Sequence, residues 1–296
     1  MTTDPRATSS GVIDAHVHIF SPETIRDRVR VCSAEPWFGM LYEMPAARLS
    51  NPVDLMAAMD VAGVDVAIAA GFPWRDLGRA RHENDFLAES CGLNPDRLNW
   101  LANVPTVEGG PAAREVERAF VLGALGVGEI NADAQGVDLL DPSHFAEVAE
   151  VCVAANRPVM LHASEPVGHH YPGKGLATPD RLLALITAFP ALKFVLAHWG
   201  GGLPFYELMP EVATACARVV YDTAASTYLY RPGVFRTVLD IVGRDRVLWG
   251  SDYPVLGMAR FLGRTRDSSG LQDSEVDQVL GSNARRVYGI GGGDTA

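Results

Sequence analysis

Eight short apolar runs recur along the chain, and segments with helical spacing separate them. Most of the runs are continuous rather than alternating, which is typical of parallel strands covered on both faces. Eight strand-then-helix units in series predict one α/β domain, a (β/α)₈ TIM barrel over residues 12–290, with tails at residues 1–11 and 291–296. An open doubly wound sheet would show the same alternation. The runs are residues 12–19, 64–70, 98–104, 124–130, 158–163, 193–198, 219–223 and 247–251.

Helix starts are recognisable between several of these runs. Asn51, Asp141 and Thr178 each precede a proline, so each places an N-cap residue before a proline at the first helical position. Gly63 and Gly243 stand where helices are expected to end.

The first apolar run leads into two histidines with a single residue between them, His16 and His18. Side chains two apart on a strand point to the same face, so both imidazoles project together from one strand end. Neutral imidazoles are good ligands for a divalent metal ion. Two polar residues hydrogen-bonded at a strand end would have the same spacing.

Four further residues that can bind metal lie at the ends of later apolar runs. Glu129, His162, His198 and Asp252 each stand at the end of a different one. In βα barrels the carboxyl ends of the strands carry the active site. A closed ring makes the first and eighth strands neighbours and brings Asp252 to the histidine pair, whereas an open sheet separates them. The constellation therefore favours the barrel.

Two connecting segments are candidates for substrate contact. Residues 21–49 form a long loop after the first strand, and residues 164–177 follow His162 directly. Loops over a barrel mouth often form substrate walls. The alternative is a surface loop whose aromatic side chains only pack it against the barrel. The predicted substrate-binding residues are Trp37, Glu165, His169, Tyr171 and Lys174. The basic residues Arg26, Arg28, Arg30, Arg48 and Lys174 suggest that the substrate carries an anionic group.

The net charge of -11 and the sequence pI of about 5.2 argue against a nucleic acid or an anionic membrane as partner. No apolar run approaches the length of a membrane span. Four cysteines lie far apart without a Cys-x-x-Cys pair, which fits a reducing compartment. We expect a cytoplasmic protein with a small-molecule substrate, and the sequence is compatible with a homodimer.

Four ordered motifs resemble the amidohydrolase superfamily. They are most similar to the amidohydrolase 2 branch, which includes aminocarboxymuconate-semialdehyde decarboxylase-like proteins. The resemblance spans nearly the whole chain, and it is specific for the superfamily rather than for a substrate. The motifs are Asp14-Ala15-His16-Val17-His18, Leu161-His162, Ala197-His198-Trp199-Gly200-Gly201 and Gly250-Ser251-Asp252-Tyr253-Pro254.

The resemblance implies one tightly bound divalent metal ion, usually zinc, with a second ion as an open alternative. Its implied ligands are His16, His18, His162 and Asp252. His198 would be a ligand to the second ion or a catalytic group that faces the substrate. Glu129 departs from the decarboxylase-like pattern and is similar to a metal-binding glutamate of TatD-like hydrolases. The alternative is that Glu129 orients a ligand histidine.

The expected chemistry is hydrolysis of a small organic amide, lactone or ester by a metal-activated water. Asp252 would shuttle the proton of the water, and His198 would polarise the carbonyl oxygen. Glu129 resembles the hydrolase branch and therefore favours this reaction. Two alternatives remain open: a metal-dependent non-oxidative decarboxylase of a small carboxylated substrate, and a catalytically silent metal-binding barrel.

Overall fold

The eight predicted strands are all present, each shorter than its apolar run. The structure is a computed structural model that describes residues 11–291, so the expected tails at residues 1–11 and 291–296 lie almost entirely outside the described residues. The strands are β1 (Ile13–Val17), β2 (Val66–Ala70), β3 (Leu98–Leu101), β4 (Val127–Ile130), β5 (Val159–Leu161), β6 (Phe194–Leu196), β7 (Val220–Asp222) and β8 (Val247–Leu248).

Parallel pairing closes the strands into a ring. The ladders run β1-β2-β3 and β4-β5-β6-β7-β8. A bridge between Ala102 and Val127 joins β3 to β4, and a bridge between Val17 and Tyr253 joins β1 to the segment after β8. His18 N donates to Tyr253 O at 2.7 Å across the same closure. The (β/α)₈ barrel prediction is therefore confirmed over the open sheet.

Helices follow the strands around the ring. Short 3₁₀ turns lie at Thr106–Glu108, Pro142–His144 and Arg244–Arg246, and a π turn lies at Gln278–Ser282. The segment His198–Leu208 combines left-handed residues at 199–202 with 3₁₀ turns. The α-helices are α1 (Pro22–Arg26), α2 (Arg28–Ala34), α3 (Pro36–Tyr42), α4 (Pro52–Ala62), α5 (Leu77–Gly92), α6 (Gly110–Val121), α7 (Ala132–Gln135), α8 (Ala146–Ala154), α9 (Pro179–Ala188), α10 (Pro210–Ala215), α11 (Ser226–Leu229), α12 (Val234–Val242), α13 (Met258–Ser268), α14 (Asp273–Asp277) and α15 (Asn283–Tyr288).

The helix-start predictions are met to different degrees. Asn51 forms a full capping box, because its side chain accepts from Asp54 N at 3.0 Å while Asp54 accepts from the backbone of Asn51. Asp141 caps a 3₁₀ turn rather than an α-helix. Thr178 precedes α9 without a side-chain cap bond.

The β1–α4 segment (residues 21–49) is not a loop, as the sequence suggested, but holds the short helices α1, α2 and α3. Helices of five to seven residues are too short to show a hydrophobic period. Packing holds the segment instead: Phe38 and Tyr42 lie in a buried aromatic cluster with Phe20, Phe72 and Trp74. This cluster fixes the segment over the mouth of the barrel.

The apolar core has two layers. One lies between the strands and the surrounding helices, and the other fills the barrel itself. Ala284 and Tyr288 of α15 pack into the inner layer. The inner layer is contributed mainly by the strands, through residues Ile13, Ala15, Val66, Ile68, Ala70, Leu101, Met160, Val195, Val220 and Leu248. Within residues 11–291 no helix is both long and apolar enough to cross a membrane.

A left-handed turn follows β6 and orients His198. The φ angles of His198, Trp199 and Gly201 are 55°, 57° and 60°. A Cβ atom at Gly201 would lie 2.4 Å from Ser164 O, so only glycine fits this close approach. Trp199 is buried, and its Nε1 donates to Ser226 Oγ at 2.6 Å. The turn thus places a buried anchor beside the site residue.

This contact predicts the effect of a Gly201→Ala variant. We expect the free energy of unfolding to fall by about 3 kcal/mol, from left-handed strain together with the clash against backbone. Gly63→Ala is the matched control, because Gly63 also has a positive φ, of 73°, but a Cβ there meets nothing within 4 Å. That control should lose about 1 kcal/mol. Urea unfolding measures both, and equal losses would contradict the steric argument.

Candidate active site

The six predicted metal-binding side chains converge at the carboxyl ends of the strands. His16 lies in β1 and His18 directly follows it, Glu129 lies in β4, and the other three follow β5, β6 and β8. All are buried except His162, which is half-buried. In two groups the candidate ligand atoms lie within 4.8 Å of one another: His16, His18 and Asp252, and Glu129, His162 and His198.

The histidine pair has its outer nitrogens already committed. His16 Nδ1 lies 2.8 Å from Asp222 Oδ2, and His18 Nδ1 lies 3.1 Å from Ala70 O. Each Nδ1 therefore carries the proton that it donates, which leaves Nε2 as the free lone pair. The two Nε2 atoms face each other at 3.1 Å. A cation is needed between them, either a proton or a metal ion.

Two carboxylates complete this first group of donors. Asp252 Oδ1 lies 3.9 Å from His16 Nε2 and 3.6 Å from His18 Nε2. Glu129 Oε2 lies 3.8 Å from both nitrogens. Donor atoms that surround a tetrahedral ion at about 2.1 Å lie about 3.4 Å apart. The observed separations are close to that value, so these residues fit a divalent metal ion.

The other oxygen of Glu129 faces the second group. Glu129 Oε1 lies 3.1 Å from His162 Nδ1 and 3.4 Å from His198 Nε2. One carboxylate thus stands between the two sets of imidazoles, which suits either a shared ligand or an acceptor that orients the histidines. His162 had been grouped with His16, His18 and Asp252 in the sequence-based ligand set, but the structure places it beside Glu129 and His198.

The site is strongly negative unless cations occupy it. Burial would raise the pKa of Glu129, but His16 and His162 hold it well below its usual range. Burial would lower the pKa of His16, yet Asp222 and Glu129 raise it to about 10. Burial would also lower the pKa of His198, but the hydrogen bond and charge of Glu129 raise it to about 9. Protons on these rings therefore compete with a metal ion for the same nitrogens.

Asp222 is a site residue that sequence reasoning missed. It ends β7 and is fully buried. Besides fixing His16, its Oδ1 accepts from the backbone N of His198 at 3.0 Å and of Ala224 at 2.9 Å. One carboxylate therefore orients two candidate site residues from two strands. The available signal was position, because Asp222 ends its apolar run just as the other candidates do.

Asp14 is a second buried carboxylate outside the predicted set. Its Oδ1 accepts from Ser251 N at 2.9 Å and from His16 N at 3.2 Å. Burial raises the pKa of this carboxyl to about 7. These bonds tie the start of the β1 motif to the β8 motif.

A cavity of about 370 Å³ opens above the donor cluster. Its floor includes His18, Glu129, His162, His198 and Asp252. Its walls are mostly aromatic or apolar and include Trp37, Leu41, Tyr42, Phe72, Tyr171, Tyr228, Leu229 and Val255. The volume lies in the range of small-molecule sites.

Three of the five predicted substrate-binding residues line this cavity, namely Trp37, His169 and Tyr171. The other two do not. Glu165 accepts from Tyr171 Oη at 2.9 Å, and Lys174 Nζ donates to Val167 O at 2.7 Å. Both side chains are used in holding the β5–α9 segment (residues 164–177) together, and this is why they do not reach the cavity.

The basic residues that were predicted to meet an anionic substrate group lie outside the cavity lining. No arginine or lysine from the described part of the chain lines the cavity. Arg26 and Arg30 pair with Asp27, and Arg28 donates to backbone carbonyls of its own segment. The Arg48 guanidinium lies 5.3 Å from the centre of the Tyr253 ring. These groups support the β1–α4 segment and its surroundings.

The family model Amidohydro_2, described as amidohydrolase, matches residues 13–290. The chain therefore belongs to the amidohydrolase family, as the sequence motifs predicted.

Named relatives of this chain are decarboxylases. Gamma-resorcylate decarboxylase of Polaromonas sp. is 27% identical over 294 residues, covering 83% of this chain and 88% of the relative. 6-Methylsalicylic acid decarboxylase of Penicillium expansum is 24% identical over 282 residues, covering 82% and 84%. The crystal structure of 5-carboxyvanillate decarboxylase of Novosphingobium aromaticivorans, with manganese and 4-hydroxy-3-methoxy-5-nitrobenzoic acid, has a TM-score of 0.77 at 22% identity, covering 96% of this chain and 97% of that one.

The prediction of amide, lactone or ester hydrolysis is therefore wrong, and the relatives support the decarboxylase alternative. The error has a physical source. Both reactions use a metal ion held by imidazoles and carboxylates beside an acid-base group, so Glu129 did not discriminate between them. Zinc also stays a prediction, since the solved relative holds manganese.

Asp222→Asn tests how His16 is oriented. Asparagine keeps one oxygen for the two backbone N–H groups but turns an amide N–H toward His16 Nδ1. That nitrogen must then accept, which moves the ring proton to Nε2, the atom that would bind a metal ion held by this group. We expect manganese affinity to fall about 10- to 100-fold by calorimetry, with Asp96→Asn, an exposed position, unchanged. Unaltered affinity in Asp222→Asn would remove this role.

Glu129→Gln tests whether this carboxylate is shared by both groups. Since its two oxygens face different imidazoles, we expect the variant to bind manganese at least about tenfold more weakly. Elemental analysis at saturation gives the number of ions per chain. One ion in both proteins, bound equally well, would mean that Glu129 only orients His162 and His198.

Proposed function

We propose that this protein is a metal-dependent, non-oxidative decarboxylase of a small aromatic carboxylic acid. The observation that carries the proposal is the cavity, in which aromatic walls stand over a floor of imidazoles and carboxylates. Aromatic walls suit a flat ring, because ring faces and edges pack favourably against one another. The decarboxylase relatives, whose names include aromatic acids, support the same reaction class.

The positive charge that balances the substrate carboxylate has to come from the floor of the cavity. The cavity lining within the described residues lacks arginine and lysine, and a carboxylate is costly to bury without a cation. A divalent ion, held by His16, His18, Asp252 and Glu129, would supply that charge and polarise the carboxylate. His162 and His198 lie close enough to Glu129 to contribute as a second group.

Asp252 and His198 are the proposed proton-carrying groups. Both are buried and line the cavity beside the donor cluster. In the reaction the ring carbon that bears the carboxylate accepts one proton, its bond to the carboxylate carbon breaks, and carbon dioxide leaves. The electron pair of that bond returns to the ring. Burial lowers the pKa of His198, and the hydrogen bond and charge of Glu129 raise it to about 9.

Trp37, His169 and Tyr171 are proposed to hold the substrate ring. They belong to two segments, the β1–α4 segment and the β5–α9 segment, which meet over the cavity. The His169 and Tyr171 ring centres lie 5.5 Å apart. This pair forms one wall, and Trp37 comes from the other segment.

The direct test is carbon dioxide release from a panel of one-ring aromatic acids by manganese-loaded protein. Reaction in deuterated water should place one deuterium on the carbon that loses the carboxylate. A parallel panel of esters, lactones and amides should show no turnover. Metal binding without turnover on either panel would support the catalytically silent barrel instead.

Asp252→Asn should retain the fold and lower kcat for decarboxylation by about 10²- to 10⁴-fold, the scale of a lost acid-base group. Because Asp252 is also a candidate ligand, the rate is measured at saturating manganese and divided by metal content. Asp96→Asn, at an exposed position, is the matched control. A rate per bound ion equal to that of the unaltered protein would exclude Asp252 from proton transfer.

His16→Ala should remove metal and turnover together. The variant deletes His16 Nε2, one of the two imidazole nitrogens that face each other in the donor cluster. Metal analysis and carbon dioxide release are measured on the same preparation. Full metal content in this variant would contradict the assigned centre.

A further inference from the structure

Two neutral hydrogen-bond donors face the cavity without a protein partner. Tyr42 is 4% exposed and Asn131 is 2% exposed, and both line the cavity. Among the described residues, neither the Tyr42 hydroxyl nor the Asn131 amide nitrogen has a hydrogen-bond partner. Both residues border the cavity rather than the packed interior, so these donors are open to whatever occupies it. Two such donors on one cavity are available to a ligand that accepts from them.

The helix that Asn131 caps sets the orientation of its amide. Asn131 Oδ1 accepts from Ala134 N at 3.0 Å as the N-cap of α7, and Asn131 N donates to Gln135 Oε1 at 3.2 Å. The oxygen is thus used by the helix. The amide nitrogen is left with two N–H groups, and the cavity is the space that they border.

The Tyr42 ring is held by its neighbours at the end of α3. Its centre lies 4.9 Å from that of Phe38 and 5.3 Å from that of Phe20. A phenol has an ordinary pKa of about 10 and is protonated at neutral pH. The Tyr42 hydroxyl is therefore a hydrogen-bond donor on the cavity lining.

Both donors belong to one wall. The Tyr42 and Phe72 ring centres lie 6.0 Å apart. On the Asn131 side, Gln135 Nε2 donates to Trp74 O at 3.0 Å. Residues 72–74 thus connect the two, and Phe72 itself lines the cavity.

We propose that Tyr42 and Asn131 are specificity-determining residues that bind an uncharged or phenolic oxygen on the substrate ring. This inference rests on the proposed function, which supplies the aromatic carboxylic acid as the substrate. Neutral donors suit a hydroxyl or ether oxygen. A second carboxylate would bring a charge that no lysine or arginine in the cavity lining could balance. The structure therefore favours monocarboxylic acids with an oxygen substituent over dicarboxylic acids.

Calorimetric binding to the manganese-loaded full chain tests this, with benzoate, the three monohydroxybenzoates and benzene-1,3-dicarboxylate as probes. The variants are Tyr42→Phe, which removes only the hydroxyl, and Asn131→Ser, which keeps an N-cap oxygen but loses the amide. Tyr206→Phe and Asn51→Ser are the matched controls. Tyr206 is exposed outside the cavity lining, and Asn51 caps α4. Thermal unfolding verifies that every variant is folded.

At least one hydroxybenzoate should bind about tenfold more tightly than benzoate, the scale of one buried neutral hydrogen bond. Each variant should reduce that ratio to about threefold or less while benzoate affinity changes by less than about twofold. Ratios unchanged in both variants, or tighter binding of the dicarboxylate, would overturn this proposal alone. If the variants lose the hydroxybenzoate preference but the unaltered protein releases no carbon dioxide, this proposal is supported and the decarboxylase reaction is rejected. No binding of any benzoate would reject both.

Discussion

Closure of the ring between β1 and β8 is the constraint on which the site depends. Asp252 N donates to His16 O at 2.9 Å, and Asp14 Oδ1 accepts from Ser251 N at 2.9 Å. These bonds join residues more than two hundred positions apart in the chain. Without them, the histidine pair and Asp252 would lie on opposite edges of a sheet. The fold therefore brings together donors that sequence distance separates.

Once the ring is closed, electrostatics governs the centre. Glu129, Asp222 and Asp252 are buried carboxylates, and buried carboxylates require cations or hydrogen-bond donors close by. The four imidazoles satisfy this requirement in part, and a divalent ion would complete it. The same need explains why Asp222 is shared between His16 and the backbone of His198. Structural support and metal affinity thus come from one set of contacts.

The reaction could not be chosen from the donor set, because hydrolysis and decarboxylation use similar metal and acid-base groups. The features that discriminate lie above the floor. The β1–α4 segment supplies Trp37 and Tyr42 to a cavity lined without lysine or arginine in the described chain. Aromatic walls and neutral donors are the basis of the proposal that the substrate is a flat, oxygen-bearing ring acid rather than a general carbonyl compound.

The sequence by itself determined the strand and helix alternation, the barrel and the family, because apolar period and strand-end motifs are local signals. It also identified all six donor residues that converge in the structure. Only the tertiary structure decided how these donors are grouped, that Asp222 orients His16, and that Glu165 and Lys174 stay outside the cavity. It also showed the short helices over the barrel mouth. These features depend on distances between strands and on packing against an aromatic cluster, and neither is encoded in the spacing of residues along one segment.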